Sequence, residues 1–311
     1  MVLAPGVILA RLRPGDSAAT LSVGTGRAGI ALAKQSHIRI EGLWFRNLAG
    51  ARGRLREGIG VGAFQNGSRD IEVAGNRFGP AAIESGQGIV QIFGTEDFRL
   101  IANRIEDVAF GSGLRTASVN RRLTVEGNVV RRIGRTAITM FAVDGAVVRG
   151  NMLLDIRGIH GNGITAYLAN RDILIEGNCV VGSSRPLTFH GNKTPEVVNG
   201  ITIRGNILVS QPGGQAAINS WGASTNGVVI EGNILAAPRT GLLMNQSDSN
   251  VRVTGNDTTG ITTRGPARPD WVIADNSERL RFEDALAGRF SEDSCEVPLS
   301  RLKLKVVRAP G

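Results

Sequence analysis

The chain has 311 residues, 41% of them hydrophobic and 5% aromatic, with 42 Gly and 11 Pro; it is too apolar for disorder and carries no collagen-like glycine period. Thirty-six Lys and Arg against 27 Asp and Glu leave a net charge of +9, which suits an acidic partner. No apolar run approaches the ~20 residues of a membrane-spanning helix, and two cysteines, Cys179 and Cys295, exclude a disulfide framework and a structural zinc site.

Met1–Ala10 is apolar but is broken by Pro5 and lacks a basic start, so no signal peptide is read there. Residues 1–28 are taken as an N-terminal segment or incomplete cap. From 29 to 276 a short unit recurs, with two apolar residues two apart, then Gly or a small residue, then Asn. It reads IEVAGN (71–76), FRLIAN (98–103), LTVEGN (123–128), AVVRGN (146–151), ILIEGN (173–178), ITIRGN (201–206), VVIEGN (228–233), VRVTGN (251–256) and WVIADN (271–276). A first copy, IRIEGL (38–43), has Leu43 in place of Asn. The Asn residues are separated by 27, 25, 23, 27, 28, 27, 23 and 20 positions, the length of a solenoid coil. Period-two alternation makes each unit a strand.

Between these units a Gly or small residue precedes Ile or Leu at 30, 59, 89, 114, 138, 164, 187, 218, 242 and 261, a second strand signal. A third follows each Asn, with Phe78, Ile105, Val130, Leu153, Val180, Leu208 and Leu235 two residues beyond it. Three strands per coil and about ten coils predict an all-β, right-handed, single-stranded parallel β-helix with an Asn ladder. At ~4.8 Å per coil it forms a rod on the order of 45–50 Å long. Asn at the corner suits a left-handed turn and an axial chain of amide hydrogen bonds. The outward series Glu126, Arg149, Glu176, Arg204, Glu231 predicts alternating charges stacked coil on coil, as do Asp107, Arg132 and Asp155. Residues 277–311 are expected to form a C-terminal cap or tail, with a short helix over the last coil within 282–290 and a basic strand or lid over 302–307.

The Gly-Asn corners and Ile-rich strands resemble the pectate-lyase-like right-handed β-helix superfamily, which includes pectate lyases, chondroitinase B, alginate lyases, mannuronan epimerases and polygalacturonases. The resemblance implies that the strand before the Asn corner belongs to the second sheet, the one after it to the third, and the Gly-Ile strand to the first. It also implies that substrate lies along the first sheet, and that the protein is secreted or periplasmic.

On that sheet, residues one and three beyond each inward Ile or Leu point outward. The nearer column is expected to be Val90, Arg115, Thr139, Thr165, Thr188, Asn219 and Leu243; the farther one, Ile92, Ala117, Phe141, Tyr167, His190, Trp221 and Asn245. Aromatic rings flanked by hydroxyls and amides meet the needs of a sugar. His160, Arg185 and Lys193 fall on the coils of Tyr167 and His190, while His37 lies at a turn. The candidate catalytic set is therefore Tyr167, His190, Lys193, His160 and Arg185. The candidate substrate-binding set is Arg115, Phe141, Thr165, Thr188, Asn219, Trp221 and Asn245.

β-Elimination from a uronate needs a neutralised carboxylate, a base for C5–H and an acid for the leaving oxygen; C5-epimerisation shares the first proton abstraction. Arg, His or Lys, and Tyr supply those roles here. Glycoside hydrolysis needs paired carboxyl groups, and Asp144 and Glu196 are the nearest acids. The expected function is a lyase or epimerase on an acidic uronate polysaccharide; a non-catalytic polysaccharide binder or a β-helical accessory protein is the alternative. A monomer is expected, without nucleic-acid partner, membrane span or cofactor; no acidic cluster marks a Ca²⁺ site.

Overall fold

The computed structural model describes residues 22–23, 29–49, 59–64, 66–83, 86–158, 160–190, 198–222, 225–286 and 295. They wind into a parallel β-helix of three sheets, with 11, 10 and 11 strands. Successive coils contribute one strand to each sheet, so neighbours within a sheet come from consecutive coils. The second sheet stacks ten strands from Ser36–Glu41 to Trp271–Ala274, whereas the main path of the third has nine; the complete coils fall slightly short of ten. At the N-terminal end Ser22–Val23 pairs antiparallel with Ile30–Leu32 and covers that strand's open edge.

The core follows the predicted apolar columns. Ile105, Val130, Leu153, Val180 and Leu208 are paired in register along the third sheet, and all are buried. In the first sheet the register is Ile30, Val61, Val90, Leu114, Ile138, Ile164, Leu187, Ile218, Leu242, Ile261. Two expected anchors, Ile59 and Ile89, are therefore replaced by Val61 and Val90. Both Ile side chains are nonetheless buried, which is why hydrophobicity alone picked the wrong member of each strand. The small residue ahead of the anchor has a steric cause. A Cβ on Gly163 would come within 2.4 Å of both the Pro186 carbonyl oxygen and Val180 Cγ1.

All nine corner Asn side chains form one chain of hydrogen bonds. Asn128 is typical: its backbone N–H and its Nδ2 both donate to Asn151 Oδ1, at 3.0 and 2.9 Å. The same Nδ2 donates to the Leu100 carbonyl at 2.9 Å. The left-handed residue at the corner is not the Asn, as expected, but the residue before it. Gly127 sits at φ +64°, and that slot holds Gly in every copy except Ala102 at +52° and Asp275 at +57°. The Asn side chain must turn inward to bond the next coil, so the backbone reversal falls one position earlier.

The outward charges alternate as the sequence indicates: Arg149 pairs with Glu126 at 2.8 Å, Arg204 with Glu176 at 2.7 Å, and Arg132 with Asp107. The C-terminal region differs from expectation. Its helix, Phe282–Leu286, does not close the last coil. Phe282 and Ala285 pack on the apolar outer flank of the third sheet, against a cluster containing Met152, Cys179, Ile207, Val209 and Ala236. Cys295 forms a disulfide with Cys179, closing 116 residues of chain, although the cysteine count had been read as excluding a disulfide framework. The bridge became visible only once the chain folded back along its own flank. Residues 302–307 lie outside the described residues. Among the described residues, no helix is long and apolar enough to cross a membrane.

Two substitutions test the corner in opposite directions. Ala102→Gly relieves a left-handed alanine and should raise stability by about 1 kcal/mol. Asn151→Ala strips Asn128 of the acceptor for its N–H and should lower stability by at least ~2 kcal/mol. Denaturant midpoints followed by circular dichroism check both.

Candidate functional site

The corrected first-sheet register defines the outward columns. The nearer one is Gly62, Gln91, Arg115, Thr139, Thr165, Thr188, Asn219 and Leu243. Val90 and Ile92, expected to point outward, face the core and are fully buried. The farther column gains two rings in consequence, Phe64 and Phe93, whose centroids lie 6.0 Å apart. Phe64 folds back across its own strand, and a Cβ on Gly62 would come within 2.0 Å of it. Above them Ala117 interrupts the rings, and then Phe141, Tyr167, His190 and Trp221 follow on consecutive coils.

Those four rings form a continuous rail. Phe141 meets Tyr167 edge-on at 4.9 Å, Tyr167 meets His190 at 4.1 Å, and His190 meets Trp221 at 6.3 Å. Phe141, Tyr167 and His190 are half-buried, and Trp221 is 45% exposed. Asn245 follows Trp221 and donates to the Gly222 carbonyl at 2.9 Å.

Beside the rail, the hydroxyls and amides are buried rather than open. Thr165 and Thr188 share a hydrogen bond of 2.9 Å, and Asn162 Nδ2 donates to Thr165 Oγ1 at 3.1 Å. Asn219 is fully buried, and neither its Oδ1 nor its Nδ2 has a partner among the described residues. Two arginines lie across this face. Arg115 Cζ rests 4.7 Å from the Phe141 ring centroid, and Arg185 Cζ rests 4.7 Å from that of Trp221. Neither has an ion pair with a carboxylate among the described residues.

The cations are held against their preference for water. Burial pulls the guanidinium pKa of Arg115, Arg135 and Arg185 below its ordinary value; Arg135 adds repulsion at Arg115, as Arg264 does at Arg185. His160 is shifted the same way, first by burial and then by the fields of Arg135 and Arg185. Arg135 was not anticipated. It shares a signal with His160 and Arg185, since each stands just ahead of an inward Ile or Leu, at 138, 164 and 187.

The expected cluster is thereby divided. Tyr167 and His190 adjoin at the C-terminal end of their strands, while His160 stands before the start of Asn162–Tyr167. The five residue steps of that strand span about 16 Å. Lys193 and Glu196 lie outside the described residues, and Asp144 sits in the second-sheet strand Val143–Arg149. His37 pairs with Asp70 at 2.8 Å, away from the first sheet.

The corner between first and second sheets has its own polar column. Asn120 accepts from the Thr95 N–H, Asn170 from the Val143 N–H, and Asp248 from the Thr225 N–H at 3.0 Å. Burial raises the pKa of Asp248, and hydrogen bonds from Ser220 and from Thr225 and Asn245 N–H oppose that rise. Asp248 is a structural corner acid, closed off from solvent. Among the described residues no group of three or more His, Cys, Asp or Glu is placed to hold a metal ion.

No protein-family model matches this chain, and no curated protein matches it by sequence. Among solved structures it is similar to a DFA-IIIase from Arthrobacter chlorophenolicus A6, with TM-score 0.53 and 13% identity, over 86% of this chain and 64% of that one. The chain thus spans less than two thirds of that enzyme's length. PfbA, a surface adhesin of Streptococcus pneumoniae, gives TM-score 0.40 and 9% identity over 83% and 72% of the two chains. A mannuronic acid-specific polysaccharide family 6 lyase from human gut microbiota gives 0.38 and 11% over 86% and 82%. At these identities the likeness is one of fold, the parallel β-helix, and the two lower scores carry no further weight.

The cationic edge predicts a titration. His160 should ionise below the ordinary imidazole value of 6.5, and Arg135→Gln should move it upward, as read by ¹H–¹⁵N NMR. As pH falls through the ordinary imidazole range the unfolded chain takes up this proton before the folded one. His160 therefore subtracts from stability on the acid side.

Proposed function

We propose that the first-sheet face binds an acidic, uronate-containing polysaccharide and acts on it by β-elimination or C5-epimerisation. The observation that carries this reading is the pair of guanidiniums, Arg115 and Arg185, laid on the ends of an aromatic rail without carboxylate partners among the described residues. Rings offer stacking surface to the apolar faces of pyranoses, and desolvated cations attract the carboxylates on their rims. The described groove lacks the opposed carboxyl pair of a glycoside hydrolase. The fold likeness to a DFA-IIIase in complex with DFA-III supports a carbohydrate as the class of ligand and not its charge.

In the chemistry, Arg185 neutralises the carboxylate of the reacting uronate, which acidifies C5–H. His190 takes that proton, the C4–O bond breaks as the C4=C5 double bond forms, and the Tyr167 hydroxyl delivers a proton to the departing oxygen. In epimerisation the C4–O bond stays intact and C5 is reprotonated from the opposite face. His160, at the far end of the strand, stands too far from Tyr167 to share in that proton transfer.

The separation of His160 from Tyr167 favours one other reading, a non-catalytic polysaccharide binder. Incubation with alginate, chondroitin and de-esterified pectin separates the outcomes. Elimination gives an unsaturated product absorbing near ~235 nm, epimerisation a changed C5 configuration by NMR, and simple binding neither. Trp221→Ala should weaken binding about tenfold, ~1.4 kcal/mol. Absence of affinity for all three polymers would remove the proposal.

A further inference from the structure

The two arginines occupy the surfaces that a sugar ring would use. Arg185 stands at the start of its strand, and its Cζ lies 4.7 Å from the centroid of the Trp221 ring, which comes from the next coil. Thr188 and Asn219 are registered side by side on the same two coils. Asn219 is fully buried with both amide atoms unpartnered, and Arg185 Nε is also buried without a hydrogen-bond partner. Asn162, beside Arg185 in register, has an unpartnered Oδ1. A guanidinium whose buried Nε has no partner while it lies on an indole is poorly satisfied, as is the unpartnered amide on the strand that leads to the indole. Arg115 makes the corresponding cation–π contact with Phe141, at the other end of the rail.

We infer that Arg185 is the residue by which the first-sheet face selects charged sugars, leaving the Trp221 ring for a ligand carboxylate and opening that ring, two residues along the chain from the Asn219 amide, to the same sugar. The exchange rests on the polysaccharide-binding reading given above and specifies how that binding discriminates. In the free protein the cation–π contact holds Arg185 in place. On binding, a pyranose takes the indole face, the guanidinium donates to the carboxylate, and Asn219 Nδ2 and Oδ1 pair with ring substituents. A neutral sugar gains the stacking but must displace the cation without receiving it. The cost of removing Arg185 from Trp221 is therefore recovered only by an anionic ligand. Arg115 and Phe141, three coils away at ~4.8 Å per coil, make the same exchange about 14 Å along the rail. The preferred ligand accordingly carries carboxylates at both positions, as a chain with an anionic group on every residue does.

Calorimetry on the full chain tests this with alginate, de-esterified pectin and chondroitin oligosaccharides, each beside its carboxyl-reduced counterpart. The unaltered protein should prefer the charged member by about tenfold or more. Arg185→Gln should bring that ratio close to one while neutral oligosaccharides bind at least as well as before, because the Trp221 face is vacated. Arg185→Lys should restore part of the preference. If Arg185→Gln weakens both members equally and keeps the ratio, Arg185 is only structural and the inference fails. If the unaltered protein binds these sugars with no charge preference, the inference fails while the binding reading stands. Absence of all binding removes both. Should Arg185→Gln fail to fold, Arg115→Gln makes the same comparison at Phe141.

Discussion

The corner amides govern everything else in this molecule. Eight of the nine ladder Asn are buried, and from Asn103 onward each Oδ1 receives two hydrogen bonds from the coil before it. That arrangement leaves no freedom to slide a coil by one residue, because a slip would orphan both donors and turn an apolar column to water. A chain of such amides also strengthens cooperatively in a low-dielectric setting. The stacking of Phe141, Tyr167, His190 and Trp221 is a consequence. Four rings from segments far apart in sequence meet face or edge because the opposite corner of each coil is locked in register.

Charge is distributed by sheet. On the second and third sheets arginines stand opposite acids on adjoining coils: Arg99 bonds Asp70 and Glu72, Arg122 bonds Glu96 and Asp97, and Arg132 bonds Asp107. Such pairs are worth little individually but cancel the field on those faces. Arg115 and Arg185 meet rings instead, and burial lowers their pKa where pairing raises that of Arg132 and Arg149. Arg115 and Arg185 thus place positive charge without carboxylate partners, among the described residues, on the face that also carries aromatic surface and buried amides.

The third sheet shows the other use of an outer face. Where Met152, Cys179, Ile207 and Ala236 succeed one another, the apolar exterior requires cover, and the C-terminal helix with the Cys179–Cys295 bridge supplies it. On the first sheet, Trp221 is 45% exposed at the end of the rail.

The sequence by itself determined the coil, the Asn ladder, the alternating charges and four rings of the rail, because each is a periodic pattern that repeats with the winding. It also located Arg115, Arg185 and His160 near that rail. Tertiary structure alone decided which member of Ile89–Val90 faces inward, since both are apolar and only pairing with Leu114 distinguishes them. That choice brought in Phe93, and the equivalent one at Val61 brought in Phe64. Tertiary structure also parted His160 from Tyr167, laid Arg115 on Phe141 and Arg185 on Trp221, and joined Cys179 to Cys295. Those outcomes depend on where long side chains and a distant tail come to rest across coils. No one-dimensional period encodes such positions, because they are set by competition for space and hydrogen bonds among residues that meet only after the coils have stacked.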